Sequence, residues 1–221
     1  MKRHTVFFLI LVFIFSLYAT IPIYAETAQK KKKMVKLTAS VLKYNKNQDQ
    51  LIAEGNVKIV QENVTIAAKK ADFNMKDKTG IITGEVVLTK KDLLIKGDKM
   101  DADFNKKIYK FEGDVILIQT RKDKEGKEEQ VKWICKGLTI NADQKDLKAT
   151  GGVHIERKDL KIDADTAQYM DKDQKILLDG HVYIDQNNGE KWIKGDKGVI
   201  YLEEGDFEVS GNVESGFKLG D

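Results

Sequence analysis

The chain of 221 residues contains one cysteine and one proline, and each scarcity excludes a class of structure. A single thiol, Cys135, cannot form an intramolecular disulfide, so stability must come from a hydrophobic core. The one proline, Pro22, lies near the N-terminus, and no later residue lacks the backbone N–H that a β-ladder needs. Cys135 alternates with Val131 and Trp133, which predicts a buried and unreactive thiol.

Signatures of catalysis and of cofactor binding are also missing. The chain has no Gly-x-Ser-x-Gly, no phosphate-binding P-loop and no dinucleotide fingerprint. No cluster of cysteines and histidines surrounds His154 or His181, so neither a metal site nor a cofactor is predicted. Four aspartates that recur with the repeats are typical of turns or bulges rather than of an active site: Asp98, Asp143, Asp165 and Asp196. We therefore predict that the protein is not an enzyme.

The N-terminus has the pattern of an export signal. Basic residues precede an uncharged run from Val6 to Ala25, which predicts a signal peptide over residues 1–25, cleaved after Ala25. The run is also long enough to span a bilayer, so a retained N-terminal anchor is the alternative. Residues 26–34 include Lys30-Lys31-Lys32-Lys33 and are predicted to be a basic, disordered leader, with contact to an anionic membrane as the alternative.

The charge balance argues against a nucleic-acid partner. Removal of Lys2 and Arg3 with the signal peptide lowers the formal net charge from +3 to +1. A nucleic-acid-binding protein would instead carry an excess of basic residues gathered on one face.

A short motif, Gly-x-Val, recurs six times along the chain. The copies begin at Gly55, Gly84, Gly113, Gly151, Gly180 and Gly211, so the spacings are 29, 29, 38, 29 and 31 residues. A fixed period of this length indicates one supersecondary unit repeated along the chain. Because such a unit cannot bury its apolar face alone, each must stack on its neighbours.

Each unit has the period of two β-strands. Around the first glycine, Leu51, Ala53, Val57 and Ile59 alternate with polar residues, as in a strand with one buried face. A second strand follows each first one and carries isoleucine, any residue and a small residue: Ile66-x-Ala68, Ile95-x-Gly97, Ile140-x-Ala142, Ile162-x-Ala164 and Ile193-x-Gly195. The apolar phase then slips by one residue, which predicts a β-bulge.

These units predict an all-β fold. Short polar connections join antiparallel neighbours and count against a parallel β-helix, the alternative fold. We expect one elongated antiparallel ladder of eleven strands, each bent at its glycine or bulge so that two sheets face each other. The third unit departs from the pattern: residues 121–130 are predicted to be a charged insertion, and the return strand after Asp143 is predicted to be cut short at Lys145-Asp146.

The alternation in Ala53-Glu54-Gly55-Asn56-Val57-Lys58-Ile59, followed by the Ile-x-Ala-Asp element, resembles the OstA-like repeat of the LptA family. The resemblance covers residues 35–221. It implies a β-jellyroll whose open, V-shaped interior holds the acyl chains of lipopolysaccharide in transit across the periplasm. It also implies end-to-end stacking and docking to jellyroll components of the inner and outer membranes. Two alternatives remain: a membrane-anchored LptC-like jellyroll, or an exported structural repeat protein with a closed core.

The resemblance and the apolar phase together predict the lining of a lipid-binding groove. Its predicted residues are Val57, Ile59, Ile66, Phe73, Val86, Leu88, Ile95, Phe104, Val115, Leu117, Ile140, Val153, Ile155, Ile162, Val182, Ile184 and Ile193.

Overall fold

The computed structural model describes residues 34–122, 126–203 and 205–218, and these residues form strands and turns only. The predicted signal peptide and nearly all of the basic leader lie outside them. The strands are β1 (Lys36–Thr38), β2 (Val41–Asn45), β3 (Gln50–Gln61), β4 (Val64–Asn74), β5 (Thr79–Lys90), β6 (Leu93–Asp103), β7 (Ile108–Lys122), β8 (Glu128–Asn141), β9 (Asp146–Arg157), β10 (Leu160–Met170), β11 (Lys175–Gln186), β12 (Lys191–Tyr201), β13 (Phe207–Ser210) and β14 (Glu214–Phe217). Within the described part of the chain, no helix could cross a membrane.

All fourteen strands belong to one antiparallel sheet in which β3 to β12 follow one another in sequence order. The strands β1 and β2 both pair with β3, at its two ends, and β13 and β14 pair with β12 in the same way. Each of these short pairs is therefore one strand interrupted at its bend. The ladder has twelve bent strands, one more than the six motifs and five second strands indicated, and the extra one is formed by β1 and β2.

Every long strand changes register near its middle, and these shifts divide the ladder into two half-sheets. Half-sheet A contains residues 41–45, 50–54, 70–74, 79–83, 99–103, 108–112, 137–141, 146–150, 166–170, 175–179, 197–201 and 207–210. Half-sheet B contains residues 36–38, 57–61, 64–68, 86–90, 93–97, 115–122, 128–135, 153–157, 160–164, 182–186, 191–195 and 214–217.

The two half-sheets share one hydrophobic core. Ala53 and Ile82 of half-sheet A and Val86 and Ile95 of half-sheet B are all inaccessible to water and belong to the same cluster. Because alternate residues of a strand point to opposite faces, the buried face of one half-sheet must be covered by that of the other. The prediction of a bent antiparallel ladder with two facing sheets is confirmed.

The bend depends on glycine at one rung of the ladder. Gly180 has φ +77°, and a Cβ added to it would lie 2.1 Å from Oδ2 of Asp165. The same crowding against the preceding strand recurs at the other motif glycines, which meet Ser40, Lys69, Asp98, Lys136 and Asp196. Only glycine combines a left-handed backbone with so close an approach. The bulge role predicted for Asp98, Asp165 and Asp196 is confirmed, and Asp143 lies in the turn after β8.

The third unit is complete, so its predicted truncation is wrong. The strand β8 changes register between Ile134 and Gly137, so Trp133 and Cys135 take the places that Ile66 and Ala68 hold in β4. Ile140 lies in half-sheet A, opposite Tyr109 and Leu147. Ile140-x-Ala142-Asp143 resembles the second-strand motif, although it lies in half-sheet A. The inserted residues lengthen the half-sheet B arm of β8, where it forms a hairpin with β7.

The neighbouring glycines of β9 test the source of the bend. An added Cβ at Gly151 would lie 2.7 Å from Cβ of Lys136, whereas at Gly152 it would meet nothing within 4 Å. Asn56 and Asn212 hold the Gly152 position in other units, with φ of 50° and 48°. We expect Gly151→Asn to lower the free energy of unfolding by about 2–4 kcal/mol, and Gly152→Asn to change it by less than about 1 kcal/mol. Urea denaturation measures both, and equal losses would contradict this account of the bend.

The exposed pair at the bend of β11 gives a pH dependence. Nδ1 of His181 lies 2.9 Å from Oδ2 of Asp165, and this hydrogen bond, helped by the charges of Asp165 and Asp196, raises the pKa of His181. The pair therefore stabilises the fold fully below the ordinary histidine pKa, about 6.5, and the contribution is lost as the pH rises through the raised value. Proton NMR titration should show a His181 pKa that falls in Asp165→Asn. An unchanged pKa in that variant would show that the pair does not form in solution.

Candidate functional site

All seventeen residues predicted to line the groove lie on the inner side of the bent ladder. Thirteen are buried in the shared core: Val57, Ile59, Ile66, Val86, Ile95, Val115, Leu117, Ile140, Val153, Ile155, Ile162, Val182 and Ile184. Phe73, Leu88 and Ile193 are partly buried against that core, and Phe104 is 39% exposed. Their common position follows from the period of two, which the sequence displays directly.

Half-sheet B carries a continuous row of large apolar side chains, which we call the apolar row. Its members are directly opposite one another on successive strands: Ile59, Ile66, Leu88, Ile95, Leu117, Trp133, Ile155, Ile162, Ile184 and Ile193. No member carries a charge. Because neighbouring strands lie about 4.8 Å apart, ten strands extend the row over roughly 45 Å. The row thus offers nearly uniform apolar contact from β3 to β12.

None of the residues in the facing row of half-sheet A was in the predicted lining. The facing row consists of Ala53, Ala71, Ile82, Met100, Phe111, Leu138, Ala149, Ala167 and Leu178, again in register on successive strands. The signal was present in the sequence, because these residues keep the inward phase on the other side of each bend. The predicted lining consisted mainly of the apolar residues that follow each motif glycine and of the isoleucine of each second strand, and most of these lie in half-sheet B.

The interior is filled by the side chains of the protein itself. Trp133, Tyr169 and Phe111 are among the largest side chains with less than 2% exposure. Along the middle of the ladder, the two faces therefore contact each other and leave their inner residues inaccessible to water. An acyl chain can lie along the apolar row only where the half-sheets separate.

The N-terminal end of the ladder is more open. Leu42 and Tyr44 of β2 have the inward phase of their partners Ala53 and Leu51, yet they are 51% and 60% exposed. Phe104, which is also exposed, lies in the turn after β6, several strands further along the ladder. Exposed apolar side chains in such a group are typical of a contact surface.

Aromatic rings from β4, β7 and the turn after β6 pack together in half-sheet A. The ring of Phe104 lies 6.3 Å from that of Phe73 and 6.2 Å from that of Tyr109, measured between centroids. Gly80 makes room for this packing, because a Cβ there would lie 2.7 Å from the Phe73 ring. Phe104, the most exposed of the predicted lining residues, therefore continues the apolar surface out of the core.

In half-sheet B, the ends of β7, β8 and β9 that lie away from the bend carry charged side chains. Nη2 of Arg121 donates to Oε2 of Glu129 at 2.6 Å, and Nε of Arg157 lies 3.4 Å from Oε1 of Glu129. These three side chains, which we call the ionic lip, are only 11–19% exposed. Burial lowers the pKa of Arg157, but a guanidinium remains protonated at any physiological pH.

The described residues contain no group of three or more side chains suited to hold a metal ion, and their core contains no buried polar or charged residue. Burial raises the pKa of Cys135 to about 11, so its thiol stays protonated at neutral pH. The interior therefore offers apolar contact rather than acid, base or nucleophile.

Comparison with known proteins agrees with this picture. Residues 65–206 match a family described as LptA/(LptD N-terminal domain) LPS transport protein. No curated protein is a significant match. The solved structure of LptH from Pseudomonas aeruginosa, the LptA-homologous periplasmic component of a lipopolysaccharide transport device, is 12% identical, with 85% of this chain and 96% of that chain covered. Its TM-score of 0.28 is too low to support any structural conclusion. Because the family match spans well over half of the chain, the protein belongs to the LptA/(LptD N-terminal domain) family of lipopolysaccharide-transport proteins and is not an enzyme.

Proposed function

We propose that the protein is a lipid-binding bridge that carries lipopolysaccharide across the periplasm towards the outer membrane. The observation that carries this proposal is the apolar row, which continues without a charged residue from Ile59 on β3 to Ile193 on β12. Family membership supplies the class of cargo. The acyl chains lie between the half-sheets, and the polar part of the lipid remains in water.

Physical chemistry favours such a shielded path. Each methylene group exposed to water costs about 0.8 kcal/mol, so a lipid with several acyl chains cannot cross an aqueous compartment unprotected. Apart from Trp133, the row consists of leucine and isoleucine side chains, which bind a methylene group almost equally well at each strand. Movement from one strand to the next then meets no deep trap, which suits transport better than storage.

Access to the row requires the half-sheets to part. Residues in the left-handed region occur at the bend of every second strand, for example Asn56 on β3, Glu85 on β5 and His181 on β11, and the strands between them shift register at the same level. The bends thus form one line along the ladder, and the half-sheets are joined only along that line. We propose that they open about it, and that an acyl chain replaces the contacts that the two faces otherwise make with each other.

The two edges of the ladder are the proposed docking surfaces. Within the described residues, β1 and β2 pair only with β3 at one edge, and β13 and β14 pair only with β12 at the other. Each edge can accept a further strand from another jellyroll. The proposed partners are the inner- and outer-membrane jellyroll components of the transport machinery, or a second copy of this chain. Retention of residues 1–25 would make the protein an anchored, LptC-like component instead.

The packed interior favours one other candidate, an exported structural protein whose core never opens. Trp133, Ile82 and Ile95 are fully buried, as they would be in such a protein. Lipid contact with the inner side chains distinguishes the two functions.

Photo-crosslinking provides that test. A photoreactive amino acid at Ile59 or Leu117 should crosslink to lipopolysaccharide, because both side chains lie on the apolar row. The matched control is Lys58, the outward-facing neighbour of Ile59, which should give at least tenfold less product by order of magnitude. Crosslinks should be detected by blotting for the sugar portion of the lipid. Equal labelling at Lys58 and Ile59, or none at either inner position, would leave only the structural function.

The single thiol reports on opening. Cys135 is 3% exposed and burial raises its pKa to about 11, so alkylation of the native protein by N-ethylmaleimide should be slow. Lys136→Cys in a Cys135→Ser background places an ordinary thiol on the outer side of the same strand. We expect Cys135 to react at least about 100-fold more slowly than that thiol at pH 8, because far less of it is thiolate. Both should react alike in urea. Equal rates in the native proteins would show an interior already open without lipid.

A further inference from the structure

The indole of Trp133 is an exception within the core. Its side chain is fully buried, and among the residues that the structure describes its Nε1–H has no hydrogen-bond partner. A buried donor without a partner costs free energy, and tryptophan N–H groups usually find an acceptor. The donor would be satisfied if the interior held a ligand with an acceptor at this depth.

The position of Trp133 suggests which part of a ligand that is. On the inner side of β8, Glu129 comes first, followed by Val131, Trp133 and Cys135. At about 3.4 Å per residue, Trp133 lies roughly 14 Å along the strand from Glu129. The neighbours of Trp133 across the ladder, Leu117 and Ile155, are apolar. The ionic lip thus lies towards the outside, and deeper along the same face, beyond Val131, the N–H of Trp133 is a single donor among apolar side chains.

Acylated lipids have the same order of polarity. An anionic headgroup lies outermost, the ester or amide carbonyls follow, and the acyl chains lie beyond them. Tryptophan occupies the carbonyl and headgroup level of membranes for this reason, since its ring is apolar and its N–H is a donor. A carbonyl oxygen suits a single buried donor, whereas a phosphate at that depth would lose its hydration without enough partners.

We infer that Trp133 binds the carbonyl oxygen of an ester- or amide-linked acyl chain, with the anionic headgroup of the same lipid on the side of the ionic lip. The inference rests on the proposed function and adds a preferred stopping point at β7, β8 and β9. Elsewhere the path along the apolar row is uniform. At this point a lipid gains one hydrogen bond that its hydrocarbon alone cannot provide.

Matched lipids test the hydrogen bond. The probes are a short-chain diacyl phosphatidylglycerol and its dialkyl ether analogue, which share headgroup and chains but differ in the carbonyls. The full-length protein should bind the ester about fivefold more tightly in isothermal titration calorimetry, the effect of one hydrogen bond. Trp133→Phe keeps the apolar ring and should bind both lipids alike. Trp192→Phe, at the partly exposed second tryptophan, should keep the preference and serves as the control.

Fluorescence provides a second measurement, which does not depend on the folding of Trp133→Phe. In Trp192→Phe, Trp133 is the remaining tryptophan. Its emission should shift to longer wavelength when the ester lipid is added, and should not shift with the ether lipid. Equal affinity of the unmodified protein for both lipids, or a preference that survives in Trp133→Phe, would overturn the inference and leave the proposed function standing. Failure of both lipids to bind would also overturn the inference, whereas the proposed function is decided by the crosslinking of lipopolysaccharide at Ile59 and Leu117.

Discussion

The structure depends on the alignment of the bends at one rung of every strand. A flat antiparallel ladder with this sequence would expose a continuous apolar face, which no layer of helices is present in the described residues to cover. Bending each strand at the same rung folds the ladder onto itself and lets one half of that face cover the other. Gly180 and its equivalents are required there because the backbone is left-handed and the preceding strand is too close for a Cβ. Hydrophobic burial, the dominant stabilising term, follows from this backbone constraint.

Much of the fold was predictable because two signals in the sequence agree. The period of two assigns strands, and the recurring glycine marks where they bend, so the antiparallel ladder and its inner face follow from both. The signals failed where one of them was missing. The first bent strand, formed by β1 and β2, has Ser40 at its bend and no second-strand motif, so the sequence did not predict it. Its Leu37 and Leu42 nevertheless have the inward phase of their partners Ile59 and Ala53. Ile140 imitated the second-strand spacing, and only the observed register of β8 identifies Trp133 as the true equivalent.

The candidate site was less predictable than the fold, for a physical reason. Periodicity states which side chains point inwards but not what covers them, and coverage decides whether an interior is a groove or a core. Thirteen of the predicted lining residues are buried by the opposite half-sheet, while Leu42 and Tyr44, which have the same inward phase, are half exposed at the end of the ladder. The ionic lip could not be anticipated either. Arg121 and Glu129 come from the charged hairpin, but Arg157 joins them from β9 only through the fold.

A closed interior and a lipid-carrying role are compatible because the hydrophobic effect acts on both states. Separation of the empty half-sheets would expose two apolar faces at about 25 cal/mol for each square ångström, so the empty protein stays closed. When acyl chains enter, those faces stay covered and the chains leave water as well, so the penalty is largely offset. Under the proposed function, opening would be coupled to loading without a separate switch, because the lipid would bind only the open form. Under the same proposal, the line of bends would act as the hinge, with left-handed glycines on every second strand and register shifts on the strands between them. The apolar row would then let the opened segment move along the ladder with its cargo.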